Sequence, residues 1–94
     1  MGPSLLATQN DYTPINDIIV VVPSDGANLQ YNGLDQPCRA VIFTAAGNIK
    51  FDTPQGTTVT LAISSSWFGV QYIRMKKIYA TGTTIAASNI FACY

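Results

Sequence analysis

Between Trp67 and Thr84 the chain reads Trp-Phe-Gly-Val-Gln-Tyr-Ile-Arg-Met-Lys-Lys-Ile-Tyr-Ala-Thr-Gly-Thr-Thr, and this stretch restricts the fold more than any other. Ile73 and Met75 alternate with Tyr72, Arg74 and Lys76, the period-2 pattern of a strand with one buried face. The phase slips at Lys76-Lys77, and apolar residues resume at Ile78 and Ala80. A helix would set Lys77 on the same face as Val70, Ile73 and Ala80, placing a lysine in the core. Flanking Gly69, Thr81 and Gly82, and the density of β-branched and aromatic residues, favour a strand. Read as one long strand, the stretch needs a bulge near Lys76 and Lys77 to return its apolar side chains to the core. Ile73 then falls at the centre of that core.

The remaining strand signals are short and separated by turns. Asp17–Val22 is an apolar run closed by Pro23, and its near-continuous hydrophobicity predicts burial on both faces. Ser24–Gln36 is a loop in which Asn32-Gly33 can close a minor hairpin between Leu29–Tyr31 and Leu34–Gln36. Cys38–Ala45 is a second main strand, with Val41 and Phe43 opposed to Ala40, Ile42 and Thr44. Ile49 and Phe51 alternate with Lys50 and Asp52, so that strand has one wet face. After Thr53-Pro54-Gln55-Gly56, a turn by composition, Val59, Leu61 and Ile63 point inward while Thr58 and Thr60 point outward. Ser88–Tyr94 forms the last strand. No segment carries a helical period, which predicts an all-β fold, a small antiparallel β-sandwich reminiscent of a reduced jelly roll. Residues 1–16, polar and aperiodic with Pro3 and Pro14, read as an extended N-terminal arm. Residues 17–94 form the single sandwich domain.

Composition narrows the function classes. Charged residues make up 11% of the 94 residues, against about 25% in an ordinary soluble domain. A surface so poor in charge is expected to be covered by partners. The arm is then expected to lie on its own domain or, in better accord with that surface, on a neighbouring subunit. Net charge is zero, which argues against nucleic acid, whose phosphates demand a basic excess. No apolar run approaches the ~20 residues of a membrane helix, and residues 1–7 lack the basic start of a signal peptide. Cys38 and Cys93, the only two cysteines, sit in apolar strands and read as core thiols, with a disulfide between them as the alternative.

The search for chemistry returns little. With no His in the chain, Ser64, Ser65 and Ser66 cannot join a Ser-His-Asp arrangement. A Ser–Lys pair with Lys76 or Lys77 lacks support, and the five aspartates show no spacing that suggests a glycosidase pair or a calcium loop. A zinc site and a phosphate-binding glycine loop are equally absent from the pattern, so neither an enzyme nor a cofactor is expected. The candidate partner-binding residues are the basic patch Arg74, Lys76 and Lys77, the flanking Tyr72 and Tyr79, and Trp67 and Phe68 at a loop-to-strand corner. The basic side chains equally suit a solvated outer face, and Trp67 equally suits a cap on the core.

From Asp25 to Tyr94 the chain resembles the small spike base proteins on the heads of gene transfer agents and related tailed phages. The residues that carry the resemblance are Asp25 and Leu29, Pro37 with Arg39-Ala40-Val41, Ala46-Gly47-Asn48-Ile49, Gly56-Thr57-Thr58-Val59-Thr60 and, above all, Ile73-Arg74-Met75-Lys76-Lys77-Ile78-Tyr79-Ala80-Thr81-Gly82-Thr83-Thr84. The Asn32-Gly33 extension and Ser64–Phe68 depart from the family pattern. The resemblance implies a non-enzymatic virion structural protein, a spike base or capsid decoration subunit on the capsid exterior, assembled in the host cytoplasm. It implies a homo-oligomer, pentamer or trimer, docked on the major capsid protein and able to carry a head fibre, with no nucleic acid or membrane partner. The alternative is a carbohydrate- or receptor-binding module of a phage fibre, in which Trp67, Phe68 and the tyrosines line an open groove and stack on sugars.

Overall fold

The computed structural model describes residues 15–94; the arm expected over residues 1–16 lies almost wholly outside them. Nine strands form in chain order: β1 (Ile18–Val20), β2 (Gln30–Tyr31), β3 (Leu34–Asp35), β4 (Ala40–Phe43), β5 (Gly47–Asp52), β6 (Thr58–Ile63), β7 (Gly69–Gln71), β8 (Lys77–Ile78) and β9 (Ile90–Cys93). Two single 3-10 turns, Ser65–Trp67 and Ala87–Asn89, lead into β7 and β9. The strands assemble into a four-stranded sheet, β1-β9-β4-β7, and a three-stranded sheet, β6-β5-β8, with β2 and β3 as a separate hairpin. All pairings are antiparallel. This interleaved order is that of a jelly roll with one strand reduced. The reduced strand is the segment Ser24–Leu29, which lies beside β8 through the Ser24 N–H to Ile78 carbonyl bond (2.9 Å) and the Leu29 N–H to Lys76 carbonyl bond (2.8 Å).

Alternation builds the core, as the sequence pattern requires. Val41 and Phe43 of β4, Ile49 and Phe51 of β5, and Ile90 and Ala92 of β9 are buried, together with Met75 and Ile78. Ile63 is buried at the end of β6, while Val59 and Leu61 pack half-buried against the same cluster. The minor hairpin forms where Asn32-Gly33 places it. Asn32 (φ 55°) and Gly33 (φ 80°) both adopt positive φ, the type I′ geometry that matches strand twist. Gly47 opens β5 at φ 149°, and a Cβ there would lie 2.8 Å from Ile85 Cγ1 and 2.9 Å from Thr84 Oγ1. Only glycine lets the turn at Thr84 approach β5 so closely.

Three expectations need correction. The stretch Trp67–Thr84 is two strands in opposite sheets: β7 pairs with β4, and β8 pairs with β5. No bulge restores the phase at Lys76-Lys77, because the chain crosses from one sheet to the other over residues 72–76. It turns sharply at Tyr72, where the Ile73 N–H bonds the Gln71 carbonyl at 2.9 Å. Ile73 is consequently only half-buried at the margin of the core, and Met75 (0% exposed) takes the central place. Lastly, β1 is not buried on both faces: Ile18 and Val20 are 53% and 48% exposed, and only Val21 is buried.

Candidate partner-binding surfaces

The two sheets share one core but differ outside it. No charged residue lies in any strand of the four-stranded sheet. Its register aligns Val20, Phe91, Ile42 and Val70 in one row across all four strands, on the face opposite Val41 and Phe43. Phe91 and Ile42 are half-buried in the middle of that row, and Val20 and Val70 are exposed at its ends. Every exposed large apolar side chain among the described residues except Leu34 lies on this sheet or within two residues of it.

Beside β1 the sandwich opens into a cleft of about 430 Å³, lined by Ile19–Val22, Ser24, Ala27–Gln30, Ala92 and Tyr94. Its lining is mainly aliphatic, with Ser24, Asn28 and Gln30 adding polar groups, and the Tyr94 ring stacks on Tyr31 at a centroid distance of 4.5 Å. The Tyr31 hydroxyl donates to Asp17 Oδ2 at 2.9 Å, which raises the Tyr31 pKa because ionisation would abolish that bond.

The three-stranded sheet carries a polar network instead. Lys50 Nζ and Lys77 Nζ lie 4.8 and 4.6 Å from the centre of the Tyr79 ring, both within cation–π range. The Tyr79 hydroxyl donates to the Asp52 carboxylate at 3.0 Å, and the Thr58 hydroxyl donates to Asp52 Oδ1 at 2.6 Å. These bonds, the Thr58 bond foremost, hold the Asp52 pKa below its ordinary value, with help from Lys77 and Lys76. The Thr-rich turn runs beside β5 beyond the end of β8. Thr83 and Thr84 hydroxyl oxygens accept the Lys50 and Asn48 N–H groups at 3.0 and 2.8 Å. Asp25 fixes the same turn to the reduced strand, accepting from Thr81 Oγ1 at 2.6 Å and Thr81 N–H at 2.9 Å.

The seven sequence-predicted site residues thus divide. Trp67 is half-buried against the core, while Phe68 and Tyr72 flank β7 and are 44% and 65% exposed. Arg74 lies on the crossover, at a shallow recess shared with Gln36, Pro37, Arg39 and Tyr94. Lys76 is half-buried on the same crossover, with its backbone N–H bonded to the Asp52 carbonyl at 2.8 Å. Lys77 and Tyr79 belong to the other sheet and face Lys50, Asp52 and Thr58, none of which the sequence had grouped with them. The signal was present only as matching alternation, Lys50-Phe51-Asp52 against Lys77-Ile78-Tyr79. Cys93 on β9 and Cys38, two residues before the neighbouring β4, are buried free thiols, and burial pushes the Cys38 thiol up to about 11.

The fold has a counterpart among solved structures. A chain of the structure described as "Capsid of native GTA particle computed with C5 symmetry" superposes with a TM-score of 0.69 and is 21% identical. The match spans 89% of this chain and 88% of that one. At that identity the likeness establishes a shared fold. No protein-family model and no curated protein matches the chain.

Proposed function

We propose that the chain is a non-enzymatic virion structural protein of a phage or gene-transfer-agent head. On this reading it is a spike base or decoration subunit on the capsid exterior that self-associates and docks on the major capsid protein. The observation that carries the proposal is the likeness of nearly the whole chain to a chain of a GTA capsid particle. The sequence resemblance centred on Ile73–Thr84 points the same way. The uncharged outer face of the four-stranded sheet supports self-association, and Phe68 and Tyr72 extend that face at its β7 side. The Lys50–Tyr79–Lys77 cluster on the opposite sheet offers a separate, polar surface to a second partner such as the major capsid protein. The glycan-binding alternative gains no support. Trp67 packs against the core, and the cleft beside β1 is not lined by Trp67, Phe68 or Tyr72.

The test is a tagged copy of the chain expressed in cells that produce the particles. The expected result is the tag in purified intact particles, accessible to antibody on the head surface. Removing residues 1–16 is expected to abolish that incorporation while the β-domain still melts cooperatively. Particles that purify without the full-length chain would overturn the proposal.

A further inference from the structure

Asn32-Gly33 forms the two-residue loop between β2 and β3, and both residues are exposed. Of the six asparagines in the chain, only Asn32 precedes a glycine; Leu29, Ile49 and Ile90 follow Asn28, Asn48 and Asn89, and aspartate follows Asn10 and Asn16. The backbone nitrogen that follows an asparagine is a nucleophile aimed at the side-chain Cγ. A side chain on the attacking residue obstructs that approach, and glycine has none. Even a Cβ built at Gly33 would meet nothing within 4 Å, so no neighbouring group crowds the nitrogen. Neither the Asn32 side chain nor the Gly33 N–H has a hydrogen-bond partner among the described residues. The other described asparagines next to bulky apolar residues are held: Asn28 Nδ2 donates to Asp35, Asn89 Oδ1 accepts from Thr44, and Asn48 lies within β5. The turn itself restrains the attack. Asn32 at φ 55° and Gly33 at φ 80° keep the type I′ form, and Asn32 must leave that form to close a five-membered ring. The restraint is small, because β2 and β3 are two residues each and pair only with one another. Opening of the hairpin therefore sets the rate.

We propose that Asn32 is a self-modification site, at which the side-chain amide becomes a carboxylate with or without isomerisation of the backbone. The Gly33 nitrogen bonds to Asn32 Cγ and gives up its proton, the Cγ–Nδ2 bond breaks, and ammonia leaves. Water then opens the resulting cyclic imide. Breaking the bond between the Gly33 nitrogen and Cγ leaves aspartate at position 32. Breaking the bond to the main-chain carbonyl leaves isoaspartate, in which the main chain runs through the side-chain carbons. Water is the only co-reactant. Both products add a negative charge to a hairpin that already carries Asp35. Isoaspartate also adds a methylene to the two-residue loop, which breaks the register of Tyr31 with Leu34 and of Gln30 with Asp35. Tyr31 links the hairpin to the four-stranded sheet through its stack on Tyr94 (4.5 Å) and its bond to Asp17 (2.9 Å). Modification at the loop is thereby felt at the end of β9 and the start of β1. The inference requires only the hairpin and stands apart from the virion reading.

Peptide mass mapping of the full-length protein during incubation at neutral to mildly alkaline pH tests the site. The expected result is the mass gain of one amide-to-acid conversion, growing with time and confined to the peptide that holds Asn32. Labelling by an isoaspartyl methyltransferase should appear in the same peptide. Guanidinium-denatured protein should convert faster, about tenfold for a hairpin whose opening costs about 1.4 kcal/mol. Asn32→Gly keeps a residue suited to the loop and should abolish both the mass gain and the labelling. Asn32→Asp supplies the charge without the added methylene, so its Leu34 amide should stay protected from hydrogen exchange while that of the isomerised wild type does not. An unmodified Asn32 after the denatured chain has converted fully overturns the proposal. So does a gain at Asn28, Asn48 or Asn89 equal to that at Asn32, or a native rate equal to the denatured one. The mass gain is read on the purified chain, whereas particle incorporation reports the virion role, so failure of one is distinguishable from failure of the other.

Discussion

The four-stranded and three-stranded sheets enclose the same core and treat solvent in opposite ways. Strands β5 and β8 place Lys50, Asp52 and Lys77 outward and bind them through Tyr79 and Thr58. Hydroxyls of Thr83 and Thr84 bond β5 beyond the end of β8, and exposed threonines lie on the β6 edge. The four-stranded sheet has no charge in its strands. A chain of 11% charged residues is therefore not uniformly uncharged. Among the described residues the charges lie on the three-stranded sheet, at Asp35 of the hairpin and outside the strands, and the strands of the four-stranded sheet carry none. On the proposed function, that asymmetry separates a face for solvent or a polar partner from a face for association.

The largest expected effect comes from attacking what the sheets have in common. Phe43 of β4 and Phe51 of β5 are both buried in one cluster, so Phe43→Ala and Phe51→Ala should each cost about 3–5 kcal/mol. Both should lower a single cooperative denaturation transition; a variant in which one sheet melts alone would break the view of a shared core. Gly47→Ala should cost about 1–3 kcal/mol, since it forces alanine to φ 149° and drives a Cβ into Ile85 and Thr84. Urea denaturation measures this, and an unchanged midpoint would show that the Thr-rich turn does not clasp β5. By contrast, Val70→Lys on the outer face of the four-stranded sheet should alter monomer stability by less than about 0.5 kcal/mol.

The smallest effect sharpens the electrostatic side of the comparison. The Asp25 and Asp52 carboxylates are held below their ordinary value of 3.8, chiefly by the Thr81 and Thr58 hydroxyl bonds respectively. A depressed folded pKa contributes stability that is complete above the unfolded value and is lost as pH falls through the folded one. Acid should therefore weaken the three-stranded sheet and its turn below about pH 4. The double variant Asp25→Asn/Asp52→Asn should flatten that dependence in an acid titration followed by circular dichroism. An acid profile identical to wild type would show that these bonds do not stabilise the fold.

Much of this architecture was legible in the chain. β4, β5, β6 and β9 follow from period-2 alternation, and the β2–β3 hairpin follows from Asn32-Gly33. The stretch from Trp67 to Thr84 was misleading because alternation is a local property. The slip at Lys76-Lys77 marks a change of sheet, and a slip of phase looks the same for a bulge and for a crossover. The run Ile18–Val22 was equally ambiguous: β-branched residues on both faces suit a strand buried within its own chain or one that is free to pair with another. The basic and aromatic candidates looked like one patch because they are neighbours in sequence. The crossover separates them, and the partners of Tyr79 come from Lys50, Asp52 and Thr58, too distant in the chain to be grouped without the fold.

The most direct measurement of the central claim is sedimentation of the full-length protein across a concentration series, comparing the outer faces of the two sheets. Val70 lies on the outer face of the four-stranded sheet and Thr60 is exposed on the three-stranded one. The account predicts that the wild type and Thr60→Lys associate alike, while Val70→Lys associates less. Association of Val70→Lys equal to that of the wild type, or its loss in Thr60→Lys alone, would contradict it.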